Sequence, residues 1–342
     1  MKTDIPARSS RPVFVVGCHR SGTNLLYDTL LSAGGFAIYR GYLPIYKMLV
    51  PKFGSLRDRD NRAKIVNTWL RSKGYRRSGL DAASLAVKLL ADAKTGGAFM
   101  RIVMEQICAA QGVSRWALYD ADNVLYISRI KRDIPEALFV HIIRDGRDIA
   151  NSLRKMGEFT PFFWNRRPGS LIETALYWEW IVRKGREQGL KFPADYIELR
   201  YEELVTEPQN TLRHLGEFID HDLDFDRIQS NALGSLSCTN SSFRGEQNSE
   251  RPVNRWKQAL SSQQIAELER LIGLLLDELG YQLTAPSAKS KAPGRTLNQR
   301  LYTRFLEAKW WAKINTPLGK LTSVAPLELD KVSPVPSNHL TA

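Results

Sequence analysis

The segment Val13-Phe14-Val15-Val16-Gly17-Cys18-His19-Arg20-Ser21-Gly22-Thr23-Asn24-Leu25-Leu26 constrains the fold of this chain more than any other. Its opening run is apolar and rich in β-branched residues, which reads as a strand buried on both faces of a parallel sheet. Gly17 and Gly22 frame a tight loop, and a helical pattern follows. A loop between strand and helix turns backbone N–H groups toward an anion, and the helix dipole adds to the attraction. The spacing of the two glycines matches the opening of a P-loop, but Thr23 stands where a nucleotide triphosphatase carries Lys. Arg20, inside the loop, is the replacement cation.

The design recurs about 120 residues later in Phe139-Val140-His141-Ile142-Ile143-Arg144-Asp145-Gly146-Arg147-Asp148-Ile149-Ala150-Asn151-Ser152. Ser152 follows Arg144 by eight residues, a little over two helical turns, so it returns toward the side of the guanidinium. One arginine fork and one hydroxyl suit a second phosphate. Two such cradles on neighbouring strands call for a ligand with phosphates at two places.

Gly17-x-x-Arg20-Ser21-Gly22-Thr23-x-x-Leu26 resembles the 5′-phosphosulfate loop of the sulfotransferases that use 3′-phosphoadenosine 5′-phosphosulfate (PAPS). Arg144 with Ser152 resembles their 3′-phosphate site. The likeness covers roughly residues 12–284 and is closest to the bacterial and tyrosylprotein-type branch. It implies PAPS as donor, adenosine 3′,5′-bisphosphate as product and no metal. The acceptor would be a hydroxyl or amine on a glycan, lipid, peptide or small metabolite. Gly17, Arg20, Ser21, Gly22, Thr23 and Asn24 would hold the 5′-phosphate, and Arg144 and Ser152 the 3′-phosphate. Tyr201, in Leu199-Arg200-Tyr201-Glu202-Glu203-Leu204, matches a tyrosine that approaches the adenine, and reads otherwise as a core residue. Arg251-Pro252-Val253-Asn254-Arg255-Trp256-Lys257 is similar to the family's late loop over the nucleotide, with Arg251 and Arg255 as phosphate contacts.

Sulfuryl transfer needs a held donor, a cation on the leaving phosphate and a base for the acceptor. Arg20 supplies the cation. The base is less plain, because two family patterns are missing. Tyr39-Arg40-Gly41-Tyr42-Leu43 lacks the glutamate of the tyrosylprotein branch, and Tyr119-Asp120-Ala121-Asp122-Asn123 lacks the Lys-Thr-Pro of many bacterial relatives. Asp120 and Asp122 close a strand, where ligands of open α/β sheets gather. Asp120 is taken as the candidate base, and Asp122 reads as a helix cap. His19 is a second candidate, although a histidine beside phosphate tends to be protonated and to donate.

Strands and helices alternate through the first 220 residues, which predicts a P-loop-like parallel sheet with helices on both faces. Residues 1–11 form an extension, 12–284 the sulfotransferase-like domain, and 285–342 a linker, a basic amphipathic helix and a disordered end. In that helix Leu297, Leu301, Phe305 and Ala308 share a face, suited to a membrane surface, a subunit or the chain's own domain. Cys18, Cys108 and Cys238 are scattered and odd in number, so a reducing compartment is expected. No apolar run spans a bilayer and no signal-peptide pattern opens the chain, which points to the cytoplasm. The net charge of +13 admits polyanions, but no RNP, zinc-finger or helix-turn-helix pattern supports specific nucleic-acid binding. Residues 40–80 hold eleven Lys and Arg against two acids. They form either a solvated face or the acceptor side of the cleft. A P-loop kinase and a non-enzymatic basic adaptor are the rival readings; oligomeric state is left open.

Overall fold

Four short strands carry the architecture: β1 Val13–Gly17, β2 Ala117–Tyr119, β3 Leu138–Ile143 and β4 Tyr196–Arg200. The computed structural model describes residues 6–157, 159–160, 167–231, 233, 253–284 and 295–335. All four strands pair parallel, in the order β2-β1-β3-β4. Every residue of β1 and β3 is buried, as their unbroken apolar runs require. Alternate side chains feed two layers. Phe14, Val16 and Phe139 face one cluster, while Val13, Val15, Val140 and Ile142 face the other.

Helix α1 (Thr23–Ser32) follows β1, and α2 (Gly96–Gln111) leads into β2. Helix α3 (Gly146–Met156) follows β3, and α4 (Leu171–Gly189) leads into β4. Helix α5 (Ser262–Glu278) shows the anticipated stripe, with Leu268, Ile272 and Leu275 buried and Gly280 left-handed just past its end. Because the strands run one way, their carboxyl ends share one edge. The residues just beyond them are the Cys18–Gly22 loop, Asp120, Arg144 and Tyr201.

The last helix, α6 (Leu297–Asn315), docks on α4, but of the face the sequence suggested Phe305 packs on the core while the leucines do not. Tyr302 and Leu306 are buried, whereas Leu297 is 72% exposed and Leu301 51% exposed. Polar contacts with α4 set the rotation. Trp180 Nε1 donates to Glu307 Oε2 at 2.8 Å, and Lys184 Nζ lies 2.9 Å from Glu307 Oε1. The chain then runs through Ala325–Leu327 to Val335, which is buried. The disordered end expected here is therefore ordered as far as Val335; residues 336–342 and the linker residues 285–294 lie outside the described residues. Among the described residues no helix is long and apolar enough to cross a membrane.

Leu306 is the main apolar anchor of α6, so Leu306→Ala should cost about 2–4 kcal/mol of stability. A urea melt reads this directly, and a loss under 0.5 kcal/mol would mean that α6 is not part of the cooperative unit.

Candidate functional site

The loop after β1 is built by steric necessity. A Cβ on Gly17 would sit 2.5 Å from the Ile142 carbonyl oxygen of β3. Gly22 adopts φ +97°, and a Cβ there would meet the Tyr201 ring at 2.5 Å. Between them Arg20 has φ +74°, a left-handed conformation that costs a non-glycine residue about 1 kcal/mol or more. Ser21 N donates to Cys18 O at 3.1 Å, closing the turn. Gly22 caps α1 without a side chain, so the first-turn amides of α1 have no intrahelical acceptor. Ser21 Oγ is fully buried and has no hydrogen-bond partner among the described residues.

Ser152 does come back to this edge, as its spacing from Arg144 predicts. The guanidinium that reaches it, however, is Arg20's, with Nε donating to Ser152 Oγ at 3.2 Å. Arg144 stacks over the Tyr201 ring, its Cζ 4.3 Å from the centroid, and donates from Nη1 to Arg20 O at 3.4 Å. Tyr201 is therefore both a buried ring and a wall of the site. Burial depresses the Arg20 pKa, and the nearby Arg144 and Arg255 cations lower it further. Three guanidiniums thus converge on one loop, an arrangement that an anion would relieve. Arg251 lies among residues 234–252, which are outside the described residues.

A buried acidic frame, which the sequence reading had not singled out, holds these cations in place. Asp145 caps α3, accepting from Arg147 N at 2.9 Å, and also binds the Arg147 guanidinium. The other side of Arg147 donates to Glu269 Oε1 of α5 at 2.6 Å, and its plane lies 3.8 Å from the Trp256 ring centroid. Asp148 Oδ1 accepts from Trp256 N at 2.8 Å, which fixes the residue next to Arg255. Trp178 Nε1 donates to Arg144 O at 3.1 Å, and Trp178 is fully buried.

Beside the loop lies a cavity of about 330 Å³. His19, Asn24, Tyr42, Lys47, Tyr119 and Asp120 are among its walls. The helix cap in this stretch is Asp120, not Asp122: Asp120 Oδ1 accepts from Asp122 N at 3.1 Å, starting the 3-10 turn Ala121–Tyr126. Asp122 instead binds His19 Nε2 at 3.1 Å and the Lys47 ammonium. Lys47 sits on the π-helical turn Ile45–Leu49, with no motif around it to mark it in the sequence.

The two carboxylates diverge in acidity. Burial opposes ionisation of Asp122, but His19 and Lys47 outweigh it and hold the pKa far below the usual range. Burial raises the Asp120 pKa; Lys47 opposes the rise and the Asp122 charge adds to it. Asp120 Oδ2 is buried with no hydrogen-bond partner among the described residues. Against the effect of burial, the Asp122 charge raises the His19 pKa and so favours the imidazolium form.

A parallel sheet with an anion loop at its carboxyl edge is a P-loop-like α/β architecture. The family model for sulfotransferases matches residues 12–226, and the chain belongs to that family. No curated protein sequence matches the chain. Among solved structures, the sulfotransferase domain from the curacin biosynthetic pathway is similar at 17% identity and TM-score 0.47, over 79% of this chain and 98% of that one. The sulfotransferase domain of the Synechococcus PCC 7002 olefin synthase is 15% identical at TM-score 0.41, over 91% of this chain and 96% of that one. A Mycobacterium avium sulfotransferase is 17% identical at TM-score 0.42, over 80% of this chain and 78% of that one.

Arg147→Met would leave the Asp145 and Glu269 carboxylates buried without their cation. Loss of one partner from such a network should cost about 3–5 kcal/mol in denaturant unfolding. A cost below 1 kcal/mol would show that the frame does not hold the loop.

Proposed function

We propose that this chain transfers a sulfuryl group from PAPS to an acceptor hydroxyl or amine. The observation that carries the reading is the meeting of Arg20, Arg144 and Ser152, drawn from two strand ends, on a loop whose glycines admit no Cβ. The residues fit such a donor. The orphaned Ser21 hydroxyl and the first-turn amides of α1 suit its 5′-phosphate, and Arg144 and Ser152 suit its 3′-phosphate. Tyr201 packs beside Arg144 where the adenine would lie, and Arg255 adds a cation from the late loop. A P-loop kinase is less well supported, since Thr23 replaces the P-loop Lys and two anion positions are needed.

The bound donor supplies the sulfuryl group. The acceptor oxygen forms a bond to sulfur as the bond from sulfur to the 5′-phosphate oxygen breaks, and adenosine 3′,5′-bisphosphate leaves. Arg20 neutralises the charge that grows on the leaving phosphate oxygen. Asp120 takes the acceptor proton at Oδ2, the oxygen not engaged in capping. Carboxylates pushed apart in pKa divide such roles: Asp122 stays ionised and fixes His19 and Lys47 as cationic donors toward the transferring group.

Calorimetry with adenosine 3′,5′-bisphosphate, with ATP as control, tests the donor. Arg144→Ala should weaken the bisphosphate by about 2–3 kcal/mol, for a lost charge-assisted pair, and adenosine 5′-phosphate much less. Equal losses for both nucleotides would remove Arg144 from the 3′-phosphate.

Asp120 must be ionised to accept a proton, and its pKa is raised, so kcat should climb with pH through a limb above the ordinary carboxylate range near ~4. Asp120→Asn should lower kcat by about 10²–10⁴-fold and abolish that limb, with donor KM little changed. Persistence of the limb in the variant would place the base elsewhere.

A further inference from the structure

We propose that the segment Ala325–Val335 forms one wall of the acceptor pocket and restricts the acceptor to a small molecule. The inference rests on the sulfotransferase reading and deepens it by naming the class of acceptor.

The 330 Å³ cavity beside the loop is lined on one side by His19, Thr23, Asn24 and Asp120. Pro326, Leu327 and Glu328, more than 120 residues further along the chain than Tyr201, line it as well. This segment is fastened at Leu327 and at several points beyond it. Leu327 is 1% exposed and belongs to the main core, and Val335 is buried beyond it. Arg71 donates from Nε and Nη2 to Asp330 O at 2.9 and 2.7 Å, and Asp330 N donates to Arg71 O at 2.8 Å. Arg76 pairs with the Asp330 carboxylate, and Lys73 Nζ reaches both Glu328 oxygens at 2.8 and 3.0 Å. The ion pairs are exposed and contribute little alone. Burial of Leu327 and the bonds between Arg71 and the Asp330 backbone do the fastening. Glu328 adopts φ +49°, a left-handed bend in a non-glycine residue at the point where the chain turns past the cavity.

These contacts revise the reading of the basic stretch. Arg71 and Arg76 bind the strap, while Arg40, Lys47, Lys73 and Arg77 line the cavity. A space of about 330 Å³ falls at the lower end of small-molecule sites, and Pro326, Leu327 and Glu328 take up part of its rim, which favours a compact acceptor over a polymer. Beside these cations, Tyr42, Tyr119, Pro326 and Leu327 give the cavity apolar stretches of wall, and Asp120 lies among them. The acceptor that fits is a compact phenol or alcohol with an apolar body.

The test uses the full chain, a chain ending at Ser323, and the single variants Leu327→Ala and Glu328→Gln. Sulfuryl transfer from PAPS is measured to a panel of small phenols and alcohols that includes 2-naphthol, to an unsulfated polysaccharide, and to a tyrosine-containing peptide. The wild type should use at least one small acceptor and neither polymer. Truncation and Leu327→Ala should raise the KM of that acceptor about tenfold, while the Kd for adenosine 3′,5′-bisphosphate stays within twofold. An unchanged KM in every variant, or a wild type that sulfates a polymer and no small acceptor, overturns the inference. So does a wild type that binds the bisphosphate but uses nothing on the panel. Failure of the wild type to bind adenosine 3′,5′-bisphosphate would instead remove the sulfotransferase reading, and this inference with it.

Discussion

Three guanidiniums gathered where four parallel strands end set the terms for the surrounding structure. Arg144 and Arg255 both repel Arg20, and the burial of Arg20 opposes its charge as well. The chain answers with rigid counter-structure. Asp148 lies 3.5 Å from Arg144 and anchors the backbone of Trp256, while Arg147, Asp145 and Glu269 tie α3 to α5 behind them. Glu202, just past β4, accepts from Asp145 N at 2.9 Å and from the Tyr281 hydroxyl at 2.9 Å, which joins the last strand to the same frame. Such a site is preorganised for charge before any ligand arrives, and that is where electrostatic catalysis gains most.

The neighbouring corner applies the same physics with the opposite sign. Two aspartates two residues apart cannot share one environment. Asp122 receives both cations, His19 and Lys47, while Asp120 spends one oxygen on a backbone cap and keeps the other unpartnered in the interior. Their acidities separate because their partners differ, not because their sequence positions do.

That contrast explains what could be read in advance. The strand–loop–helix turn at Gly17–Gly22 is legible in the sequence because its determinants are local. A strand run, two glycines and a following helix specify a loop whose geometry is fixed within a dozen residues. The family resemblance drew on the same local pattern. Partners across the sheet were harder. The period of α3 brought Ser152 to the correct edge, but which arginine it met depended on the left-handed backbone of Arg20. Lys47 carried no signal at all, since its role arises only when a π-helical turn brings it to Asp122. In α6 the sequence favours a stripe through Leu297 and Leu301, whereas Tyr302 and Leu306 are the buried residues. Polar bonds from Glu307 to Trp180 and Lys184, invisible to hydropathy, chose the rotation.

The strap has a consequence in time as well as space. Chains emerge from the ribosome amino end first, and their units fold in that order. The loop, the arginines and both aspartates lie within the first 256 residues, whereas Pro326, Leu327 and Glu328 follow some seventy residues later. A nascent chain can therefore assemble the loop and its arginines before the residues that complete the cavity beside Asp120 are made. Completion of the cavity waits for Pro326, Leu327 and Glu328, so a chain cut short before them is left with its loop and arginines but an unfinished pocket.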